Sequence, residues 1–151
     1  MKSNPGKQYI FGSIFSLANR LQALGDKIDE NITVKQWFFV AIVSMFDSPP
    51  SILEVSKIIG TSRQNIKKMA LILQNQGFVS IQEDCNDKRV SRILLTKKCF
   101  DYFKTREDME QSFIESLFNG FTEKNIEDLS NNINLLMNNI DNMEKKYENK
   151  E

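Results

Sequence analysis

Arg63, Gln64, Asn65, Lys67 and Lys68 crowd the start of one candidate helix, and Asp87, Lys88 and Arg89 stand together in a charged turn further along. Amide side chains pair with base edges and cations with phosphates, so these residue types on the first turns of a helix carry the chemistry of nucleic-acid contact. Thr61 and Ser62 offer hydroxyls to cap the helix, and Thr61 with Gln64 has capping-box spacing. A solvated face on any surface helix would show similar residues. The reading therefore depends on what holds them.

Residues 52–96 supply the frame. A short apolar helix (Leu53, Val55, Ile58, Ile59) runs to Gly60, a residue suited to the left-handed conformation of a helix end. The next helix ends at Gly77 and carries Ile66, Met69, Ala70 and Leu73 at i, i+3, i+4 and i+7, one stripe for a core. Gln64, Lys68 and Asn75 fall opposite that stripe, with Arg63 and Lys67 on one flank and Asn65 on the other. Two β-type runs follow, 78–83 and 90–96, joined by the charged turn. Helix, turn, helix and hairpin predict a winged helix-turn-helix.

The segment TSRQNIKKMALILQNQGFVSIQEDCNDKRVSRILLTKK resembles the DNA-binding core of MarR-type transcriptional regulators. Asp87-Lys88-Arg89 matches the Asp-x-Arg of that family's wing, and Leu95-Thr96 the pair closing its second wing strand. The resemblance implies that Arg89 probes the minor groove while Asp87 orients it. It also implies a homodimer and a small aromatic effector, for which Phe15, Trp37, Phe38 and Phe103 are the candidate pocket. Aromatic residues at such positions are also ordinary core. Cys99 departs from the family, which has glycine at that place.

The whole chain narrows the function further. Histidine is absent, which removes the usual catalytic triads, Cys/His zinc sites and simple pH switches. Pairs such as Glu107-Asp108 and Glu127-Asp128 lie on polar helix faces, and no glycine-rich phosphate loop follows a strand. No enzyme, cofactor or metal is expected. Cys85 and Cys99 are too few for a disulfide framework, there is no signal-like start and no membrane-spanning run, and a cytoplasmic location is expected. Formal net charge is zero, yet residues 51–100 hold nine basic and four acidic side chains, and residues 101–151 hold six and twelve. Positive charge gathers on the winged segment, where it would release counterions from DNA.

The flanks read as helices with heptad seams. Over residues 8–30 the seam is Ile10, Ile14, Leu17, Leu21, Leu24 and Ile28, with residues 1–7 frayed. Thr33 caps a nearly all-apolar helix that Pro49 and Pro50 stop. One long helix with a charged middle is expected from Thr96 to about Asn119, ended by Gly120. Thr122 caps a last helix whose seam is Ile126, Leu129, Ile133, Leu136, Ile140, Met143 and Tyr147. The expected fold class is mainly α with a small β wing. Residues 1–32 form an N-terminal dimerisation helix, 33–98 the winged region, and 99–151 a connecting helix and a C-terminal dimerisation helix. The seams imply a homodimer built from both termini, although packing within one chain would use them too. The leading reading is a DNA-binding repressor of a pseudo-palindromic site. A winged-helix protein-interaction module and a redox regulator acting through Cys85 are the alternatives.

Overall fold

Thr33 and Ser51 start two helices in the same way. Each hydroxyl accepts the N–H three residues on, and the side chain there (Gln36, Glu54) accepts the cap's own N–H, so both are capping boxes. The computed structural model describes residues 5–148 and divides into two units, residues 1–104 and 105–151.

The first unit contains α1 (Pro5–Gly25), α2 (Val34–Ser44), α3 (Ile52–Ile59), α4 (Arg63–Asn75), β1 (Val79–Glu83), β2 (Ser91–Leu95) and α5 (Lys97–Lys104). β1 and β2 pair antiparallel, from Val79 opposite Leu95 to Glu83 opposite Ser91. Pro50 and Ser51 add a short third edge, because Ile93 N–H donates to the Pro50 carbonyl and Ser51 bridges to Arg92. The core joins Phe39, Val40, Ile42 and Val43 of α2, Val55 of α3, the Ile66, Ala70 and Leu73 stripe of α4, and Phe78, Val79, Ile93 and Cys99. Gly60 ends α3 at φ 74°, the left-handed geometry expected of it. The fold is the winged helix-turn-helix predicted above.

Three expectations need correction. The first helix spans Pro5–Gly25, not 8–30. A Cβ on Gly25 would lie 2.2 Å from Val34 Cγ2, and Asp26 accepts the Val34 N–H, so the chain turns here against the start of α2. Ile28 of the expected seam thus falls beyond the helix, and the frayed start fails from Pro5 onward; residues 1–4 lie outside the described residues. Second, α4 is capped by Ser62, which accepts the Asn65 N–H; Thr61 instead accepts from the Asn65 side chain, and the Thr61–Gln64 box is not made. Third, the long helix after Thr96 is two helices, interrupted at Thr105 and Arg106.

The second unit holds α6 (Glu107–Leu117) and α7 (Glu123–Glu148). Glu107, Asp108 and Glu110 fill the first turn of α6, where carboxylates favour a helix start, and Arg106 pairs with Glu110. The charged stretch therefore begins a helix rather than crossing the middle of one. Thr122 and Asn125 cap α7 reciprocally. Its seam from Ile126 to Tyr147 is 40–69% exposed. Within the first unit, α1 likewise has no buried residue, and Ile10, Ile14 and Leu17 are about half exposed, with Leu21 partly covered.

Candidate nucleic-acid interface

Burial of Ile66, Ala70 and Leu73 turns the other side of α4 outward. Ser62, Arg63, Gln64, Asn65, Lys67 and Lys68 are all exposed there, and Thr61 is half-buried beside them. Asn65 holds Thr61 at 3.1 Å, which orients its amide across the N-terminal turn. At the other end, Gln74 accepts the Ile81 N–H at 2.9 Å, and Lys98 Nζ donates to the Gln76 carbonyl at 2.6 Å while lying over the Phe78 ring. The helix and the base of the hairpin are thereby fastened together.

The turn between the strands is built on carboxylates. Asp84 Oδ2 accepts the N–H groups of Asn86 and Asp87 at 3.0 and 3.1 Å. Asp87 then holds Arg89 three times: its Oδ1 accepts from the Arg89 backbone N–H and Nε, both at 3.0 Å, and its Oδ2 from Nη2 at 2.9 Å. That two-pronged grip is the planar match of guanidinium and carboxylate. The Arg89 side chain is nevertheless 91% exposed, so its orientation is set while its outer edge stays open. The Arg89 side-chain bond, followed by the Arg89 backbone bond, holds the Asp87 carboxyl below its usual 3.8, and the same pairing raises Arg89. Lys88 is exposed next to them.

Arg92 was not foreseen. Its Nε donates to Asp84 Oδ1 at 2.7 Å, and its Nη1 to Glu54 Oε2 at 3.1 Å and to the Pro49 carbonyl at 3.4 Å. One clue was legible: Arg92 sits opposite Gln82, so Asp84 continues the same face of the hairpin. Glu54 and Pro49 come from far along the chain and left no local signal. The Thr96 hydroxyl, expected only as part of a pair, donates to the Gly77 carbonyl at 2.6 Å and accepts the Cys99 N–H, closing the wing and starting α5.

Cys85 is exposed in the turn and Cys99 is buried, with its thiol pushed up to about 11 by desolvation. The buried thiol packs there as a small apolar residue. Of the aromatic candidates, Phe103 packs with Phe78 and Tyr102, and Phe15 meets Phe11 along α1. Trp37 is half-buried on α2 and Phe38 exposed. A shallow cavity of about 230 Å³ has Phe46, Pro49, Pro50, Ile93 and Phe100 on its walls and none of those four. No helix among the described residues is long and apolar enough to cross a membrane.

No family model matches the sequence. Solved structures do match over nearly the whole chain. A MarR/EmrR family transcriptional regulator from Acinetobacter sp. ADP1 superposes with a TM-score of 0.80 at 20% identity, covering 90% of this chain and 97% of that one. A MarR protein from Peptoclostridium difficile gives 0.81 at 19% identity, with 95% and 91% covered. MepR of S. aureus, solved as a DNA complex, gives 0.74 at 15% identity, with 87% and 96% covered. The chain therefore has the fold of the MarR-type winged-helix regulators.

Proposed function

We propose that this protein is a homodimeric, DNA-binding transcriptional regulator of MarR type, acting as a repressor by occluding a pseudo-palindromic site. The observation that carries the reading is the pairing, within one unit, of an exposed polar and cationic α4 face with an exposed Arg89 that Asp87 already orients. Thr61, Ser62, Arg63, Gln64, Asn65, Lys67 and Lys68 approach the major groove, while Lys88 and Arg89 approach the minor groove. The DNA complex of MepR, which shares the fold, supports a duplex partner. The open apolar faces of α1 and α7 support a second copy of the chain, which would give two reading heads one helical turn apart. Trp37, half-buried, and Phe38, exposed, leave room in this reading for a small aromatic effector. A cytoplasmic location accords with binding to chromosomal DNA.

Titration of duplex DNA at several salt concentrations tests the reading. The affinity should fall linearly on logarithmic axes with salt, as counterion release requires. Arg89→Ala should weaken binding by about 1–3 kcal/mol, most at A/T-rich flanks. A salt-insensitive association, or none, would favour a protein-interaction module instead.

A further inference from the structure

Between the wing turn and the start of α3 lies a charge cluster that the nucleic-acid reading does not use. Its centre is the Arg92 guanidinium, which spans two carboxylates from different elements, Asp84 of the turn and Glu54 of the first turn of α3. Each carboxylate has a second task. Glu54 Oε2 also accepts the Ser51 N–H at 2.7 Å, and Asp84 shapes the backbone at Asn86 and Asp87 with its other oxygen. The contacts therefore run unbroken from the α3 cap through Glu54, Arg92, Asp84 and Asp87 to Arg89.

We propose that Arg92 is a positioning residue that ties the wing to the N-terminus of α3 and so fixes where Arg89 stands relative to the α4 face. Its flanking carboxylates already neutralise it, and its side chain is only about one-third exposed (34%), which makes it a poor phosphate contact. The task requires arginine. Nε and Nη1 reach acceptors on separate elements from a rigid plane, and a lysine ammonium offers only one point. Beside this cluster, the backbone join between β2 and residues 50–51 and the burial of Ile93 also hold the base of that edge, whereas the cluster alone reaches up to the turn at Asp84. The consequence for DNA rests on the function proposed above, whereas the tether itself does not.

Cys85 allows both to be measured. It is exposed in the turn, and Cys99 is buried, so a thiol-reactive nitroxide should label the wing alone. Arg92→Ala and Arg92→Lys are each expected to narrow the nitroxide spectrum as the wing loosens. Each should also weaken binding to a duplex selected by the unaltered protein by about tenfold, the scale of one charge-assisted hydrogen bond, with the salt slope unchanged. Arg92→Lys keeps a cation and most of the stem, so it decides the matter if the alanine variant does not fold. Asp84→Asn separates the mechanisms by sign: removing a negative charge would tighten DNA binding through electrostatics alone, but should weaken it if the tether matters. Unchanged nitroxide mobility in the arginine variants would overturn the proposal. So would lysine restoring full affinity while alanine lowers the salt slope by about one, which would make Arg92 a phosphate contact. If the unaltered protein binds no duplex, the regulator reading fails and the nitroxide spectra alone decide the tether.

Discussion

The winged segment and the two terminal helices use apolar residues in opposite ways. In the winged segment Val55, Ile66, Ala70, Leu73 and Ile93 are sealed from water, and the exposed residues are chiefly polar or charged. Along α1 and α7 the periodic leucines and isoleucines are as regular, yet none is buried. One region completes its own core, and the other presents apolar faces that a single chain leaves open. Open apolar faces of this kind are what the proposed second copy of the chain would cover. Asparagine adds to the contrast, because Asn131, Asn132, Asn134, Asn138, Asn139 and Asn142 give α7 poor intrinsic helicity and make it depend on packing.

The largest expected effect breaks the comparison at its open side. Replacing Ile133 and Leu136 together with aspartate should reduce the species seen in sedimentation from twice the 17.5 kDa chain mass to the chain mass itself. A pair that sediments as before would mean that the α7 seam does not join two copies. Next comes the closed side. Leu73→Ala should cost about 2–5 kcal/mol in urea unfolding, because a fully buried leucine leaves a cavity. That loss should not vary with protein concentration, whereas the loss from the aspartate pair should.

A smaller effect lies within the winged unit, at the wing turn. Asp84 and Asp87 are held below their ordinary 3.8, Asp84 first by Arg92 and Asp87 first by Arg89. A carboxylate with a depressed folded value stabilises the fold above its unfolded value, and that contribution fades as pH falls through the folded one. The wing should therefore stay ordered as pH drops through 3.8 and loosen only below it, read by a nitroxide on Cys85. Water screens these pairs, so global stability should change little over that step.

The sequence made the winged frame legible because each of its elements carries a local signal. The α4 stripe, the Gly60 stop, the charged turn and the Asp87-Lys88-Arg89 match all lie within a few residues of what they specify. The errors share a different origin. Thr61 and Ser62 are adjacent hydroxyls, and backbone geometry alone chose Ser62 as the cap. Gly25 ends α1 because Val34 approaches it, a contact absent from the local pattern. The break at Thr105 and Arg106 was hidden by continuous helix-forming composition. Arg92 escaped notice since two of its three acceptors, on Glu54 and Pro49, arrive only through folding.

Selection from a pool of random duplex DNA tests the central claim most directly. The account predicts enrichment of an inverted repeat whose half-sites lie about one helical turn apart, protected by the protein and lost on Arg89→Ala. A pool that emerges without enriched sequence, or with a single unpaired half-site, would contradict it.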